Sequence, residues 1–168
     1  VVDKTYDKSV EANYTVAGTI GLKLKSDETE ANNMADVSLS GTPIITFCDA
    51  NAGQNKNVNV TGVSLTGARA ASYELDFSNL TGTISPKPVR LSWTDHSSFV
   101  YDNTEKSVSA AVTNALAGDA VTVTNYSGTV SATDAGTYTA AATTLSDSNY
   151  TLAGGNGISN EWSILAAT

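Results

Sequence analysis

The chain repeats itself, because four short sequence cues occur twice in the same order and at comparable spacing. The paired cues are KTYDKSV (4–10) with FVYDNTEKSV (99–108), DANAGQNKNVNV (49–60) with ATDAGTYTAAAT (132–143), ASYELD (71–76) with SNYTLA (148–153), and LTGTISPK (80–87) with NEWSILAA (160–167). An ordered set of this kind predicts two copies of one structural plan. The 168 residues therefore form two small domains rather than one large one.

The join between the copies is predicted at Pro86-Lys87-Pro88, which gives modules 1–87 and 88–168. Each proline fixes its own φ and restricts the residue before it, so the join should be stiff. The first module is longer between its Tyr-Asp and its Ala-Gly, which predicts an insertion around 18–40. It also has only five residues before its Tyr-Asp, so we expect it to lack a leading strand and to expose an unpaired sheet edge.

Short alternating runs of apolar and polar residues fill both modules, punctuated by Gly, Asn and Asp. Such runs are typical of half-buried antiparallel strands joined by polar turns. The sequence therefore predicts an all-β fold of two small antiparallel modules, for which an immunoglobulin-like sandwich and a β-grasp-like fold are both open. The only candidate for a helical turn is SDETEANNMAD (26–36), which also fits a solvated loop.

The charge of the chain restricts its partners. With 17 acidic against 9 basic residues, its surface should repel nucleic acid and anionic membranes, which are bound through clustered Lys and Arg. We expect no nucleic-acid partner and no direct membrane insertion, since no apolar run approaches the roughly 20 residues needed to cross a bilayer. Targeting and anchoring signals are expected outside this fragment.

Two known repeat families share these motifs. The segment KTYDKSV…VSLSGT…FCDANAGQNKNVNVTGVSLTGARAASYELDFSNLTGTISPK resembles the YDG-type repeat, with Lys8 where glycine is usual. The segment SFVYDNTEKSVSAAVTNALAGDAVTVTNYSGTVSATDAGTYTAAATTLSDSNYTLAGG…WSI resembles the related MBG-type repeat. Lysine at position 8 bears on turn geometry, because lysine resists positive φ where glycine accepts it.

The resemblance implies tandem, extracellular all-β modules of large, adhesin-like bacterial surface proteins, with no enzymatic activity and no cofactor. We therefore expect a stalk, spacer or display module that is attached to the cell wall or surface through regions outside this fragment. Its expected partners are neighbouring repeats of the same chain. The alternative is a carbohydrate- or host-protein-binding adhesin module, which would bind through loop 25–36 or a free strand edge.

The catalytic readings have simpler structural explanations. His96 is the only histidine, and no nucleophile elbow or oxyanion loop accompanies it and Asp95. Asp134 and Asp147 could suggest a glycosidase pair. The motifs Tyr6-Asp7 and Tyr101-Asp102 could suggest acid–base chemistry, but they recur in both copies, as turn-forming residues do and a catalytic site rarely does. We expect no catalytic residue.

Metal binding has weak support in the sequence. One His and one Cys cannot provide a clustered zinc or copper site. Calcium is the remaining candidate, at loops 49–55 and 133–138, but neither has EF-hand spacing, and local turns explain both. Cys48 sits in an apolar, strand-like run, TPIITFCDA (42–50), and is expected to be a small buried residue.

Trp93 and Trp162 could stack on sugars, but strand parity places both on core-facing sides. A last possibility is an intramolecular Lys–Asn isopeptide bond from Lys4, Lys8 or Lys106, for which no matching set of partners is evident. The sequence thus predicts no cofactor or metal site and leaves any ligand unidentified.

Overall fold

The computed structural model describes residues 2–12, 21–24, 37–94 and 98–167. The chain divides into a first unit, Val1–Ser85, and a second unit, Pro86–Thr168. The division lies between Ser85 and Pro86, two residues before the boundary expected from the sequence. Lys87 and Pro88 are the first residues of a strand of the second unit.

Both units are built almost entirely from strands. The strands of the first unit are β1 (Val2–Thr5), β2 (Gly21–Leu24), β3 (Ser38–Phe47), β4 (Gly53–Thr66), β5 (Tyr73–Asp76) and β6 (Thr81–Ser85). Those of the second unit are β7 (Lys87–Thr94), β8 (Ser98–Val100), β9 (Lys106–Ser107), β10 (Ser109–Val112), β11 (Val123–Gly128), β12 (Ser131–Ala132), β13 (Gly136–Leu145), β14 (Tyr150–Asn156) and β15 (Ser159–Leu165).

The prediction of an all-β fold is confirmed. A 3-10 turn at Ala70–Ser72 is the one helical element that the structure describes. The predicted loop or helical turn at 26–36 lies outside the described residues, as does most of the expected insertion around 18–40. No helix in the described part of the chain is long and apolar enough to span a membrane.

Each unit contains a four-stranded sheet with the same strand order, β1-β6-β4-β3 in the first and β8-β15-β13-β11 in the second. The edge strand β1 is parallel to β6 just as β8 is parallel to β15, and the remaining pairs are antiparallel. The register also matches, since Gly53 lies opposite Ile84 and Gly136 lies opposite Ile164. The repeated cues therefore occupy equivalent places in two sheets of one design.

The second sheets of the two units differ. In the second unit β7 lies between β10 and β14, antiparallel to the former and parallel to the latter. In the first unit β5, the counterpart of β14, pairs with β2 in a two-stranded antiparallel sheet. The parallel pairs depart from the antiparallel modules predicted above, because alternation shows which face of a strand is buried and not the direction of its neighbour.

Each unit has its own core. The buried apolar residues of the first unit are Tyr6, Ile45, Phe47, Tyr73 and Ile84, and those of the second are Val89, Val108, Val121, Ala140, Ala142, Tyr150, Trp162 and Ile164. The duplicated tyrosines begin equivalent strands, Tyr73 in β5 and Tyr150 in β14, and both are buried.

The expectation that Cys48 is buried was wrong, because its side chain is exposed. Ile45 and Phe47 face the core, so the next residue after Phe47 points to the opposite side. Strand β3 also ends at Phe47, which places Cys48 in the following turn.

Candidate functional site

The feature shared most closely by the two units is the Tyr-Asp turn, and each turn starts where a parallel strand pair ends. The Tyr6 amide donates a hydrogen bond to the Ser85 carbonyl oxygen at 2.8 Å. The Tyr101 amide donates in the same way to the Leu165 carbonyl oxygen at 2.9 Å. The motif thus adds the final hydrogen bond to the parallel pair formed by the edge strand and the last strand of each unit. This hydrogen-bonded pair is called the seam below.

The aspartate of each motif then folds the chain back on itself. Asp7 Oδ1 accepts the backbone amide of Ser9 at 2.9 Å, and Asp102 Oδ1 accepts that of Thr104 at 3.0 Å. These are Asx turns, in which a carboxylate replaces a backbone carbonyl as the acceptor two residues on. Both aspartates therefore act as turn formers at this place.

The residue after each aspartate has a left-handed backbone. Lys8 has φ 68° and Asn103 has φ 60°. Asparagine tolerates this conformation and glycine accepts it freely, but lysine does so only at a cost. Lys8 therefore bears on turn geometry, as expected from the sequence: the turn holds it in a strained, left-handed conformation.

A lysine ammonium completes the turn of the first unit. Lys4 Nζ lies 2.6 Å from Asp7 Oδ1, 2.7 Å from the Ser9 carbonyl oxygen and 2.9 Å from the Glu11 carbonyl oxygen. The side chain of Lys4 is only 8% exposed. All three donors of the ammonium group are used, and none of these contacts is with the asparagine side chain that an isopeptide bond would need.

The second unit obtains its lysine from the other side of the turn. Lys106 Nζ lies 2.6 Å from Asp102 Oδ2 and 2.7 Å from Thr104 Oγ. The register position of Lys4, opposite Ile84, is held in the second unit by Phe99, opposite Ile164. Two different lysines therefore reach equivalent carboxylates, and the aspartate–lysine pair is the part of the arrangement that both units keep.

The lysines keep these carboxylates ionised. Hydrogen bonds from the Lys106 ammonium, the Thr104 hydroxyl and the Thr104 amide lower the pKa of Asp102 to about 2. Desolvation is the largest single effect on Asp7 and raises its pKa, but the hydrogen bonds from Lys4 and Ser9 and the charge of Lys4 together outweigh it and hold that pKa below its ordinary value. A carboxyl group in this state cannot donate a proton near neutral pH, which disfavours a general-acid role.

The first candidate calcium loop, 49–55, also contains an aspartate–lysine pair. Asp49 Oδ1 lies 2.7 Å from Lys56 Nζ and accepts the Asn51 amide at 2.9 Å. The hydrogen bonds from Lys56 and Asn51 lower the pKa of Asp49. The lysine ammonium thus pairs with the carboxylate that a bound cation would need as a ligand.

The second candidate loop, 133–138, is closed by a tyrosine, since the Tyr138 hydroxyl donates to the Asp134 carbonyl oxygen at 2.8 Å. In the described ranges no group of three or more His, Cys, Asp or Glu residues could hold a metal ion. Sequence reasoning missed the three lysine partners, although a lysine three to seven residues from each turn aspartate was a visible signal.

The structure does not bring together the proposed glycosidase pair. Asp134 precedes β13 and Asp147 follows it, so the ten residues of Gly136–Leu145 separate them. Ten residues of extended strand span about 33 Å, whereas paired glycosidase carboxylates lie about 5–9.5 Å apart. Asp147 instead accepts the Asn149 amide at 2.8 Å in a further Asx turn. His96 and Asp95 lie outside the described residues.

Trp162 is a core residue. It is fully buried, its Nε1 donates to the Thr129 carbonyl oxygen at 2.8 Å, and its ring meets Phe99 edge-on and lies against Tyr138. Trp162 therefore has no open face on which a sugar could stack.

Trp93 packs at the margin of the same cluster and is half-buried. Its Nε1 donates to the Gly157 carbonyl oxygen at 2.7 Å, and its ring lies 5.7 Å from that of Tyr126. Parity thus places both tryptophans as the sequence analysis expected, with Trp93 less deeply buried.

An open depression of about 570 Å³ lies on the second unit. Its lining comes from residues 143–148 and 150–153, mainly small polar side chains. The one aromatic residue there, Tyr150, is buried and donates its hydroxyl hydrogen to Asp119 at 2.7 Å. Without an exposed ring, the depression does not resemble a carbohydrate platform.

One family model matches the part of the chain that holds the first Tyr-Asp turn and most of the sheet behind it. Residues 1–82 match the family model of the YDG domain. The YDG resemblance inferred from the sequence is thereby confirmed for the first half of the chain. Neither the curated proteins nor the solved structures contain a match to this chain.

The YDG match covers most of the first unit. It ends at residue 82, within β6, so it covers β1 to β5 and the Tyr-Asp turn. The second unit repeats the sheet order of the first unit and the closing hydrogen bond of its turn. Its motif, Tyr101-Asp102-Asn103, keeps the left-handed third position with an asparagine.

Proposed function

We propose that this chain is a non-catalytic tandem β repeat of a bacterial extracellular surface protein, in which it acts as a stalk, spacer or display module in adhesion. The second unit is, on this proposal, an MBG-type repeat related to the YDG domain. The duplicated sheet order and register support the proposal, because repetition of a whole structural plan extends a chain without adding a new site.

The pairing of β1 with β6 is the observation that carries this proposal. These two strands open and close the first unit, and they are parallel neighbours from Val2 opposite Gly82 to Thr5 opposite Ser85. Tension on the two ends of the unit pulls such strands in opposite directions along their length. The hydrogen bonds between them then share the load and must break together, which suits a module that spans between two points.

The second unit has a comparable arrangement. Its first strand, β7, is parallel to β14, and its last strand, β15, is parallel to β8. Both terminal strands are thus held by parallel pairing. In each unit the Tyr-Asp turn lies at the end of one of these seams, where its amide bonds the last strand. The aspartate–lysine pairs fix the turn and so protect the end of the seam.

Single-molecule force spectroscopy tests the load-bearing role. The first unit should unfold at a clearly higher force when it is pulled through its two ends than when it is pulled through Ser38 and Thr66. These two residues face each other at the open end of the β3–β4 hairpin. Pulling there separates the strands one pair at a time, whereas forced unfolding through the ends must cross the barrier for the whole seam.

Equal forces in the two pulling geometries would remove the mechanical support for a stalk. An antibody raised against the chain provides the second test, because it should label intact cells of the source organism without permeabilisation. Labelling only after permeabilisation would contradict the extracellular assignment.

A further inference from the structure

We propose that the first unit has a strand-docking site beside β5, which accepts an extended strand of the β7 type from a neighbouring repeat of the same protein. This inference rests on the proposed tandem arrangement, and it adds a physical connection between repeats. The second unit shows how such a site looks when it is filled, because β7 there lies beside β14, the counterpart of β5.

Strand β7 is well held in its place. Val89 is fully buried, and Lys87 lies opposite Tyr150 with its amide donating to the Asn149 carbonyl oxygen at 2.8 Å. Only Pro86 separates β7 from β6, so the strand reaches the sheet of one unit directly from the last strand of the unit before it. A β7-type strand is therefore available wherever one repeat follows another.

Strand β7 also positions the segment that follows β10. The Arg90 amide donates to Asn114 Oδ1 at 2.7 Å, and Asn114 Nδ2 donates back to the Pro88 carbonyl oxygen at 3.1 Å. The Thr113 amide donates to the Arg90 carbonyl oxygen at 2.9 Å. Residues 113 and 114 are thus tied to the backbone of β7 by a set of mutual hydrogen bonds.

That segment in turn provides the hydrogen-bond partners of the buried Tyr150 hydroxyl in the second unit. The Leu116 amide donates to the Tyr150 hydroxyl at 2.9 Å, and the hydroxyl donates to Asp119 Oδ2 at 2.7 Å. A continuous chain of contacts therefore runs from β7 through Asn114 and Leu116 to Tyr150. The hydroxyl of a buried tyrosine needs such partners, since an unpaired buried polar group is destabilising.

The described residues of the first unit do not provide such partners for the equivalent tyrosine. Tyr73 begins β5 as Tyr150 begins β14, and it is only 6% exposed. Among the described residues its buried hydroxyl has no hydrogen-bond partner. Residues 2–5, which precede the Tyr-Asp turn, are paired with β6 and match β8 instead of β7. Among the described residues β5 pairs only with β2.

The strand directions fit an insertion between β2 and β5. Strand β2 is antiparallel to β5, and in the second unit β10 is antiparallel to β7, which is parallel to β14. A strand parallel to β5 would therefore leave β2 antiparallel to its new neighbour. The chemistry of the occupant follows from β7: an extended strand that presents alternating apolar side chains, as Val89, Leu91 and Trp93 do.

The test joins a copy of residues 87–95 directly to Val1 of the full chain, which reproduces the spacing between β7 and β8. Amide exchange in residues 73–76 should slow by about tenfold or more, because the inserted strand replaces the short pairing with the four-residue β2 by a place in a three-stranded sheet. The matched control carries the same extension with V89D and L91D in the copied strand, and it should show no slowing.

The effect of Y73F on the unfolding midpoint is a second measurement, and a general stabilisation of the first unit would not change the sign of that effect. In the original chain Y73F should leave the unfolding midpoint of the first unit unchanged or raise it, because it removes an unpaired buried hydroxyl. In the extended chain the same change should lower that midpoint, as Y150F should in the second unit. The inference is wrong if exchange in 73–76 is equal in the extended protein and the control, or if Y73F acts alike in both backgrounds.

The failures of the two proposals are distinguishable. If the extension protects nothing while the first unit still resists end-to-end pulling, strand docking fails and the stalk function stands. If the extension protects β5 but the unit yields at the same force in both pulling geometries, the load-bearing role fails and strand docking stands.

Discussion

Lys8 and Asn103 occupy the same place in the two Tyr-Asp turns and share a left-handed backbone, with φ angles of 68° and 60°. The turn imposes this conformation because the preceding aspartate bonds the amide of the following residue in both copies. Asparagine meets this demand with its short polar side chain, whereas lysine meets it only with strain. The geometry of the turn is therefore conserved between the units although its chemistry differs.

Replacing Lys8 by glycine should stabilise the first unit by roughly 0.5–1 kcal/mol, because relief of left-handed strain exceeds the entropy cost of glycine in the unfolded chain. Amide exchange or far-UV circular dichroism should follow the unfolding, since both tryptophans, Trp93 and Trp162, report on the second unit. The control K8A keeps the strain and should not stabilise. A destabilised K8G protein would show that contacts of the lysine side chain outweigh its strain.

Acid should weaken the second unit as the Asp102 pair is lost. The folded pKa of Asp102 is about 2, below its ordinary value of 3.8, so the folded state favours the ionised form. The contribution of this pair is therefore fully present above about pH 4 and disappears as the pH falls through the folded pKa.

D102N should accordingly lower the urea midpoint at pH 7 and have little effect near pH 2, followed by tryptophan fluorescence. The control is E105Q, which removes another exposed carboxylate from the same turn. An equal loss for D102N at both pH values would show that the carboxylate acts through its shape and not its charge.

The thiol of Cys48 should react in the folded protein. The side chain is exposed, so a thiol reagent such as DTNB should modify one equivalent without denaturant. C48S should remain unlabelled and should change the free energy of unfolding by no more than about 0.5 kcal/mol, as is usual for surface substitutions. Labelling that occurs only after denaturation would contradict the exposed position.

Much of this architecture was predictable from pattern alone. The four repeated cues foretold equivalent strands, and Gly53 and Gly136 do begin β4 and β13 at the same register. Parity along β7 and β15 placed both tryptophans. The exposure of Cys48 was also within reach, because a residue next to the buried Phe47 lies on the opposite face.

Other features depend on contacts that a single sequence does not encode locally. The parallel pairing of β1 with β6 joins residues about 80 positions apart, and alternation carries no direction. Lys4 and Lys106 reach equivalent carboxylates from opposite sides of the turn, so the repeat alignment cannot pair them. The unpartnered Tyr73 hydroxyl is likewise visible only beside the completed hydrogen bonds of Tyr150.

Substitution of Trp162 distinguishes a core residue from part of a binding surface. Truncation by W162A should lower the stability of the second unit by about 3–5 kcal/mol, because it opens a cavity and removes the donor to the Thr129 carbonyl oxygen. Urea unfolding followed by the fluorescence of Trp93 measures the loss. W93A is the matched comparison and should cost less, since Trp93 is only half-buried. If W162A instead kept its midpoint but lost saturable binding to a glycan, the ring would be a recognition surface, and the spacer function proposed for this unit would give way to adhesion.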